Sequence, residues 1–319
     1  MKTFKTHGEQ LKILQERGLI VFNEEEAIKI LQRENYYNLI NGYKDLFLEV
    51  SLDNEVKLEQ YRPEATFEDI YELYCFDREL RSILLEDILK FETNIKTKIA
   101  YRFSEVYPEP HSFLDIKNYS DNTNQVKQVL SLVSKLLVII KNQSDNNSSV
   151  KHYLNSYKYV PLWVIVNYFT FGVISKFFFI LEPRLKYSIT RDFNEQFFQQ
   201  YKKEKNMTNE DLESILKTVN FYRNICAHEE RLYNYKIHRT PKISHLASIL
   251  GIETHLLEKG NIFTLLAALK MVNTKKDYDK LILRLIELFS KYSTKISSVH
   301  FEEILKVMGL DDNWKEKLQ

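Results

Sequence analysis

TFEDIYELYCFDRELRSILLEDILKFETNIKTKIAYRF, residues 66–103, sets the fold class of this chain. Phe67, Ile70, Leu73 (or Tyr74), Asp77, Leu80 and Leu84 recur at intervals of three and four, the period of a helix that buries one face. Asp77 is the one polar member of that stripe. The helix starts at Thr66 or its neighbour. It ends before Pro108 and Pro110, since proline lacks the backbone donor a helix needs and its ring obstructs the preceding turn.

Upstream, GEQLKILQERGLIV (8–21) reads as a short helix on Leu11, Ile13 and Leu14 that stops at Gly18. Asn23 caps the next helix, with Glu24, Glu25 and Glu26 in the first turn, where acidic groups suit the helix dipole. NYYNLINGYKDLF (35–47) follows, dense in aromatics. Downstream, KNYSDNTN (117–124) and KNQSDNNSS (141–149) read as polar loops on either side of a helix rich in Leu and Val. PLWVIVNYFTFGVISKFFFIL (161–181) approaches the roughly 20 apolar residues of a membrane span. Asn167, Gly172 and Lys176 interrupt it and its aromatics run throughout, so a buried core helix is expected and no membrane contact. Pro183 breaks the chain, a further helix starts near Thr208, and three or four more run from Pro241 to the end. No run alternates with period two for long enough to propose a sheet, and no repeat is evident. The expected architecture is all-α, with an N-terminal helical segment (1–60), a helical core (61–240) and a C-terminal helical extension (241–319).

The 319 residues are 44% hydrophobic and 28% charged, and hold only 7 Gly and 6 Pro, which favours long helices over hairpins. The formal net charge of +1 excludes a protein that coats nucleic acid over its whole surface, so any such ligand should be gripped locally. Cys75 and Cys226 make no disulfide framework, and the N-terminus lacks an apolar secretory region, so a cytoplasmic location is expected. Phosphate-cradling glycine motifs, CxxC, HExxH and GxSxG are all absent, and no cofactor or metal is expected.

One constellation remains, FYRNICAHEERLYN (221–234). Leu212, Ile215, Leu216, Val219, Tyr222 and Cys226 form an apolar stripe, and Arg223, one turn after Val219, falls near its middle. A cation there needs a partner, a cleft or an interface, because burying it alone is too unfavourable. Either Arg223 pairs with a buried carboxylate such as Glu92, or it opens onto a groove made with another helix or subunit. Asn224 and His228, four apart, share one side of a helix, whereas Arg223 and His228 lie roughly 140° apart. Looser matches to the same spacing occur at Arg231/His238 and Arg239/His245, the second interrupted by Pro241. The residue types suit RNA cleavage by the substrate's own 2′-OH. An imidazole can take or give the proton, a guanidinium can hold phosphate oxygens, and Asn224 can orient either.

Several blocks in order resemble the abortive-infection proteins of the Abi-D/Abi-F type: residues 9–43, FDRELRSILLEDILKFE (76–92), PLWVIVNYFTFGVISKFF (161–178), RNICAHEERLYN (223–234) and MGLDDNW (308–314). That family is assigned to the HEPN superfamily. The resemblance implies a HEPN-like helical bundle with RNxxxH at Arg223, Asn224 and His228, a homodimer with two motifs facing one cleft, and a metal-independent endoribonuclease that halts infected cells. It also implies RNA as partner, as substrate and as a regulatory non-coding or antitoxin RNA. A non-catalytic protein that holds such an RNA is the alternative. Two positions depart from the family pattern: Glu229 stands where many relatives have a second His, and Lys96 where they tend to have Arg. Arg231, Tyr233, Lys96, Tyr36 and Tyr37 are the candidate RNA contacts, although aromatics at helical spacing are more often part of a core. KKEK (202–205) reads as a solvated face.

Overall fold

A computed structural model describes residues 3–49, 59–146, 148–239 and 244–318. Two short helices, α1 (His7–Glu16) and α2 (Glu24–Arg33), lead to the central element, α3 (Phe67–Val106). At 1.5 Å per residue this 40-residue helix is roughly 60 Å long. Thr66 caps it, its side chain accepting from the Asp69 backbone N–H at 3.0 Å, and Glu68 and Asp69 occupy the first turn. The expected stripe is buried, and it continues through Ile88, Phe91, Ile95, Ile99 and Phe103.

Beyond α3 the chain forms α4 (Val126–Asn146), α5 (Ser148–Tyr157), α6 (Leu162–Ile165), α7 (Phe171–Phe179), α8 (Pro183–Tyr201) and α9 (Asn209–Ala227). The remainder forms α10 (Ser244–Leu250), α11 (Thr254–Glu258), α12 (Ile262–Val272), α13 (Lys275–Ser293), α14 (Phe301–Met308) and α15 (Trp314–Leu318). Among the described residues the only β pairing is two isolated bridges, Ile20 with Thr66 and Leu48 with Tyr61. The fold is all-α, as expected.

Helices α7, α8, α9, α12 and α13 pack on α3, and the buried apolar side chains form one core from Leu11 to Leu318. Two acidic side chains of α3 fasten distant segments to it. Asp69 accepts the backbone N–H groups of Ser297 and Ser298 at 3.2 and 2.7 Å. Asp77 plays the same part for the segment that follows α9.

Three expectations need correction. Residues 161–181 are not one helix: α6 gives way to a 3-10 turn (Val166–Tyr168), and Phe169 and Thr170 are extended before α7. Thr170 caps α7 by accepting from the Val173 N–H, a local bond that competes with continuing the helix. No helix among the described residues is long and apolar enough to cross a membrane. The polar run 141–149 is largely helical, since α4 extends to Asn146 and α5 resumes at Ser148. There Ser144 and Asn146 turn their side chains back to the carbonyls of Lys141 and Asn142. Six helices, not three or four, follow residue 243. Pro241, expected to mark that boundary and to interrupt the Arg239/His245 spacing, lies outside the described residues.

Gly309 ends α14 in the left-handed region, φ 84°, and a Cβ there would collide with the Asn261 amide. Asn261 is itself buried and caps α12. The MGLDDNW block thus joins two C-terminal helices at a position only glycine fits.

Candidate functional site

Helix α9 is fixed at both ends. At its start Thr208 and Asp211 cap each other, and Asp211 also meets His245 Nδ1 at 2.6 Å. The stripe Leu212, Ile215, Leu216, Val219, Tyr222 and Cys226 is buried, as expected, and the Tyr222 hydroxyl donates to the Gly260 carbonyl at 2.9 Å. Burial pushes the Cys226 thiol up to about 12, too high for thiolate chemistry at neutral pH.

At its far end His228 is the C-cap, its N–H bonded to the Asn224 carbonyl at 2.9 Å. Glu229 then takes a left-handed φ of 56°, and the Glu230 N–H returns to the Ile225 carbonyl at 3.1 Å. This is the Schellman arrangement, in which glycine is usual at the left-handed position. Glutamate there costs about 1–2 kcal/mol, so the surroundings must hold the turn.

Asp77 and Arg81 hold it. The fully buried Asp77 carboxylate accepts from the Leu232 N–H (3.0 Å), the Tyr233 N–H (2.7 Å), the Tyr43 hydroxyl (2.7 Å) and Arg81 Nη1 (2.5 Å). Arg81 Nη1 also donates to the Glu230 carbonyl at 3.1 Å. Burial pushes the Asp77 carboxyl up, while the guanidinium, the two backbone N–H groups and the phenol favour its charged form. One ion pair on α3 therefore holds Glu230, Leu232 and Tyr233, three of the four residues after the RNICAHE turn. Sequence reasoning singled out Asp77 only as a polar member of an apolar stripe and missed Arg81. The signal was present, a buried-register carboxylate with an arginine four residues on.

The other candidates divide into three groups. Asn224 and His228 are exposed and share one face of α9. Arg223 turns toward α3, with Nε 3.9 Å from Glu92 Oε2. Among the described residues neither of those two atoms has a hydrogen-bond partner, and the Arg223 side chain keeps 28% of its surface. The expected Glu92 partner is in place, at ion-pair distance and without a hydrogen bond. The opposite carboxylate oxygen of Glu92 takes Lys96 Nζ at 2.7 Å.

The third group faces the N-terminal segment. Arg231 Nη1 donates to the Gly42 carbonyl and lies 3.3 Å from Asp45. Tyr233 is buried with its ring stacked 5.7 Å from that of Tyr43. Tyr36 is half-buried against the core, and Tyr37 is 71% exposed on the π-helical turn Tyr37–Asn41.

Two candidate RNA contacts are corrected here. Tyr233 is enclosed and presents no ring face to a ligand. Lys96, 13% exposed, is the counter-ion of Glu92 and not a surface phosphate contact. KKEK is more than a solvated face, since Lys203 and Lys205 donate to the carbonyls of Leu250 and Ser248 at the end of α10. Among the described residues no three His, Cys, Asp or Glu side chains converge as a metal site.

A family model described as Abi-like protein matches residues 29–234, well over half of the chain. The chain belongs to the Abi-like family. Its matched region runs from within α2 to the end of the Asp77-held turn, so all the candidate residues fall inside it. Helices α10 to α15 lie beyond the match, although α12 and α13 pack on α3 within it. No curated protein and no solved structure matches the chain.

Proposed function

We propose that this Abi-like protein is an abortive-infection endoribonuclease of the HEPN type, acting on RNA as a homodimer. The observation that carries the proposal is the pairing of exposed Asn224 and His228 on one face of α9, at an end held rigid by the buried Asp77–Arg81 pair. A proton-transfer group works only if its position is fixed, and the polar network is placed to fix this one.

In the proposed reaction His228 takes the proton from a ribose 2′-OH, and the 2′-oxygen attacks the adjacent phosphorus. The 5′-oxygen leaves with a proton given by the imidazolium of the second copy's His228, giving a 2′,3′-cyclic phosphate and a 5′-OH. Asn224 orients the phosphodiester. Arg223, whose Nε has no hydrogen bond to break, swings from Glu92 to the phosphate oxygens, which bind a guanidinium in bidentate fashion. A second copy supplies the opposing wall of the cleft.

The approach of Arg223 to Glu92 favours a second reading, in which the motif helps hold a regulatory RNA and cleaves nothing. Incubating the purified protein with RNA in EDTA separates the two. The nuclease releases fragments ending in cyclic phosphate, and His228→Ala stops release while the melting temperature stays unchanged. Retention of intact RNA by both proteins, with no fragments, overturns the proposal in favour of the second reading.

A further inference from the structure

Helices α4, α7 and α9 enclose a cavity of about 470 Å³ on the side of α9 that carries Asn224 and His228. Each helix contributes one exposed lysine to its lining: Lys127 from α4, Lys176 from α7 and Lys217 from α9. None of the three has a carboxylate partner among the described residues. Glu213 in the same wall is already paired with Lys186 at 2.8 Å. In a protein of net charge +1, three uncompensated cations around one cavity are a strong local excess that repels itself until an anion enters.

The rest of the lining suits an aromatic body. Phe179, Ile180 and Leu216 form its apolar part. Lys217 Nζ already sits 5.2 Å over the Phe179 ring, at the boundary between the apolar and cationic parts. Ser175 Oγ is buried in the wall with no hydrogen-bond partner among the described residues, and Gln128 and Asn220 add amide groups. A few convergent polar groups on an apolar lining is the usual character of a small-ligand site.

We propose that this cavity binds a nucleotide: the base against the apolar wall, and the phosphate between Lys127, Lys176 and Lys217. The nucleotide is either free or one residue of an RNA strand, and the latter source rests on the nuclease reading. Lys217, Asn220, Asn224 and His228 follow one another at three- and four-residue intervals along one side of α9. From Asn220 to His228 the helix rises ~12 Å, three or four nucleotides at the ~3.4 Å stacked spacing. A strand anchored in the cavity would therefore run toward His228.

The test is equilibrium binding of a labelled ten-nucleotide 2′-O-methyl RNA, which 2′-OH attack cannot cleave, to the full-length protein. Two variants are compared with the wild type. Lys127→Gln/Lys176→Gln/Lys217→Gln removes the charges, and Ser131→Trp, from an exposed position on α4, fills the cavity. Both are expected to weaken binding by about tenfold or more, and the triple variant to make the log–log salt slope shallower by about 0.7, as one lost phosphate contact requires for a single strand. Competition by AMP but not by inorganic phosphate assigns the site to a free nucleotide. Loss of oligonucleotide binding in the variants with no competition by AMP assigns it to the strand. Equal competition by AMP and phosphate reduces the cavity to an anion site and overturns the nucleotide assignment. So does unchanged affinity and slope in both variants, or no binding of either probe to the wild type. Variants that bind and cleave as the wild type does refute the cavity and leave the nuclease standing. Variants that lose binding, beside a wild type that never cleaves RNA in EDTA, do the reverse.

Discussion

Replacing Asp77 with alanine should do more damage than any surface change at the motif itself. The substitution leaves the Arg81 guanidinium, 5% exposed, without its counter-charge, and strips the acceptors from the Leu232 and Tyr233 N–H groups. Breaking a buried ion pair from one side costs about 3–5 kcal/mol, and each orphaned buried donor about 1–3 kcal/mol. The two penalties overlap because the network shares its partners, so a loss of about 4 kcal/mol is expected in urea unfolding. Removing both charges together, as Asp77→Leu/Arg81→Met, should recover the part of that loss that comes from the unpaired guanidinium, since a buried pair replaced by apolar groups of similar volume is often neutral. The double variant still lacks the acceptors, so the Leu232 and Tyr233 amides should exchange with solvent faster in both variants. Cleavage, if His228 is the proton-transfer group, should fall in both, although neither altered residue contacts the substrate. An Asp77→Ala loss below about 1 kcal/mol, or unchanged exchange at Leu232 and Tyr233, would refute the claim that this pair fixes the turn.

Other outcomes follow from the same geometry. Gly309→Ala should destabilise the protein by about 2 kcal/mol or more, because it adds left-handed strain to a collision with buried Asn261; thermal unfolding measures this, and a shift within error would contradict it. Glu229→Gly should stabilise by about 1 kcal/mol by relieving the left-handed glutamate, read as a raised melting temperature. Burial opposes ionisation of Glu34, but hydrogen bonds from Tyr74 and Arg78 outweigh it and hold this carboxyl below its usual 4.5. The stability it contributes is therefore present above pH 4.5 and lost as pH falls through its lower folded value. The advantage of the wild type over Glu34→Gln in urea should accordingly be seen at pH 7 and shrink in acid, whereas a pH-independent difference would contradict the assignment.

The fold class was legible because α3 and α9 declare themselves by apolar period and by capping threonines, Thr66 and Thr208. Hydropathy alone could not show the break inside 161–181, since both halves are buried and the break depends on one capping bond at Thr170. Composition misled at 141–149 for the opposite reason, because Ser and Asn satisfied helical carbonyls in place of forming a loop. At the site, helical geometry placed Asn224 and His228 together and turned Arg223 aside, toward Glu92. What periodicity could not supply was the 155-residue contact from Asp77 to Leu232. That contact encloses Tyr233 and makes the motif's exit a fixed turn. Long-range polar pairing of this kind leaves only a trace in one sequence, a charged residue in an apolar register.

The nuclease proposal stands most directly on one comparison, made in EDTA with wild-type protein. An RNA that the protein cuts is set beside the same RNA carrying a single 2′-deoxy sugar at the cut site, and the new ends are identified. Loss of that one cut in the deoxy substrate, with cyclic phosphate and 5′-OH ends in the unmodified RNA, is the predicted result. Persistent cutting at the deoxy position, or ends bearing a 5′-phosphate, would contradict it.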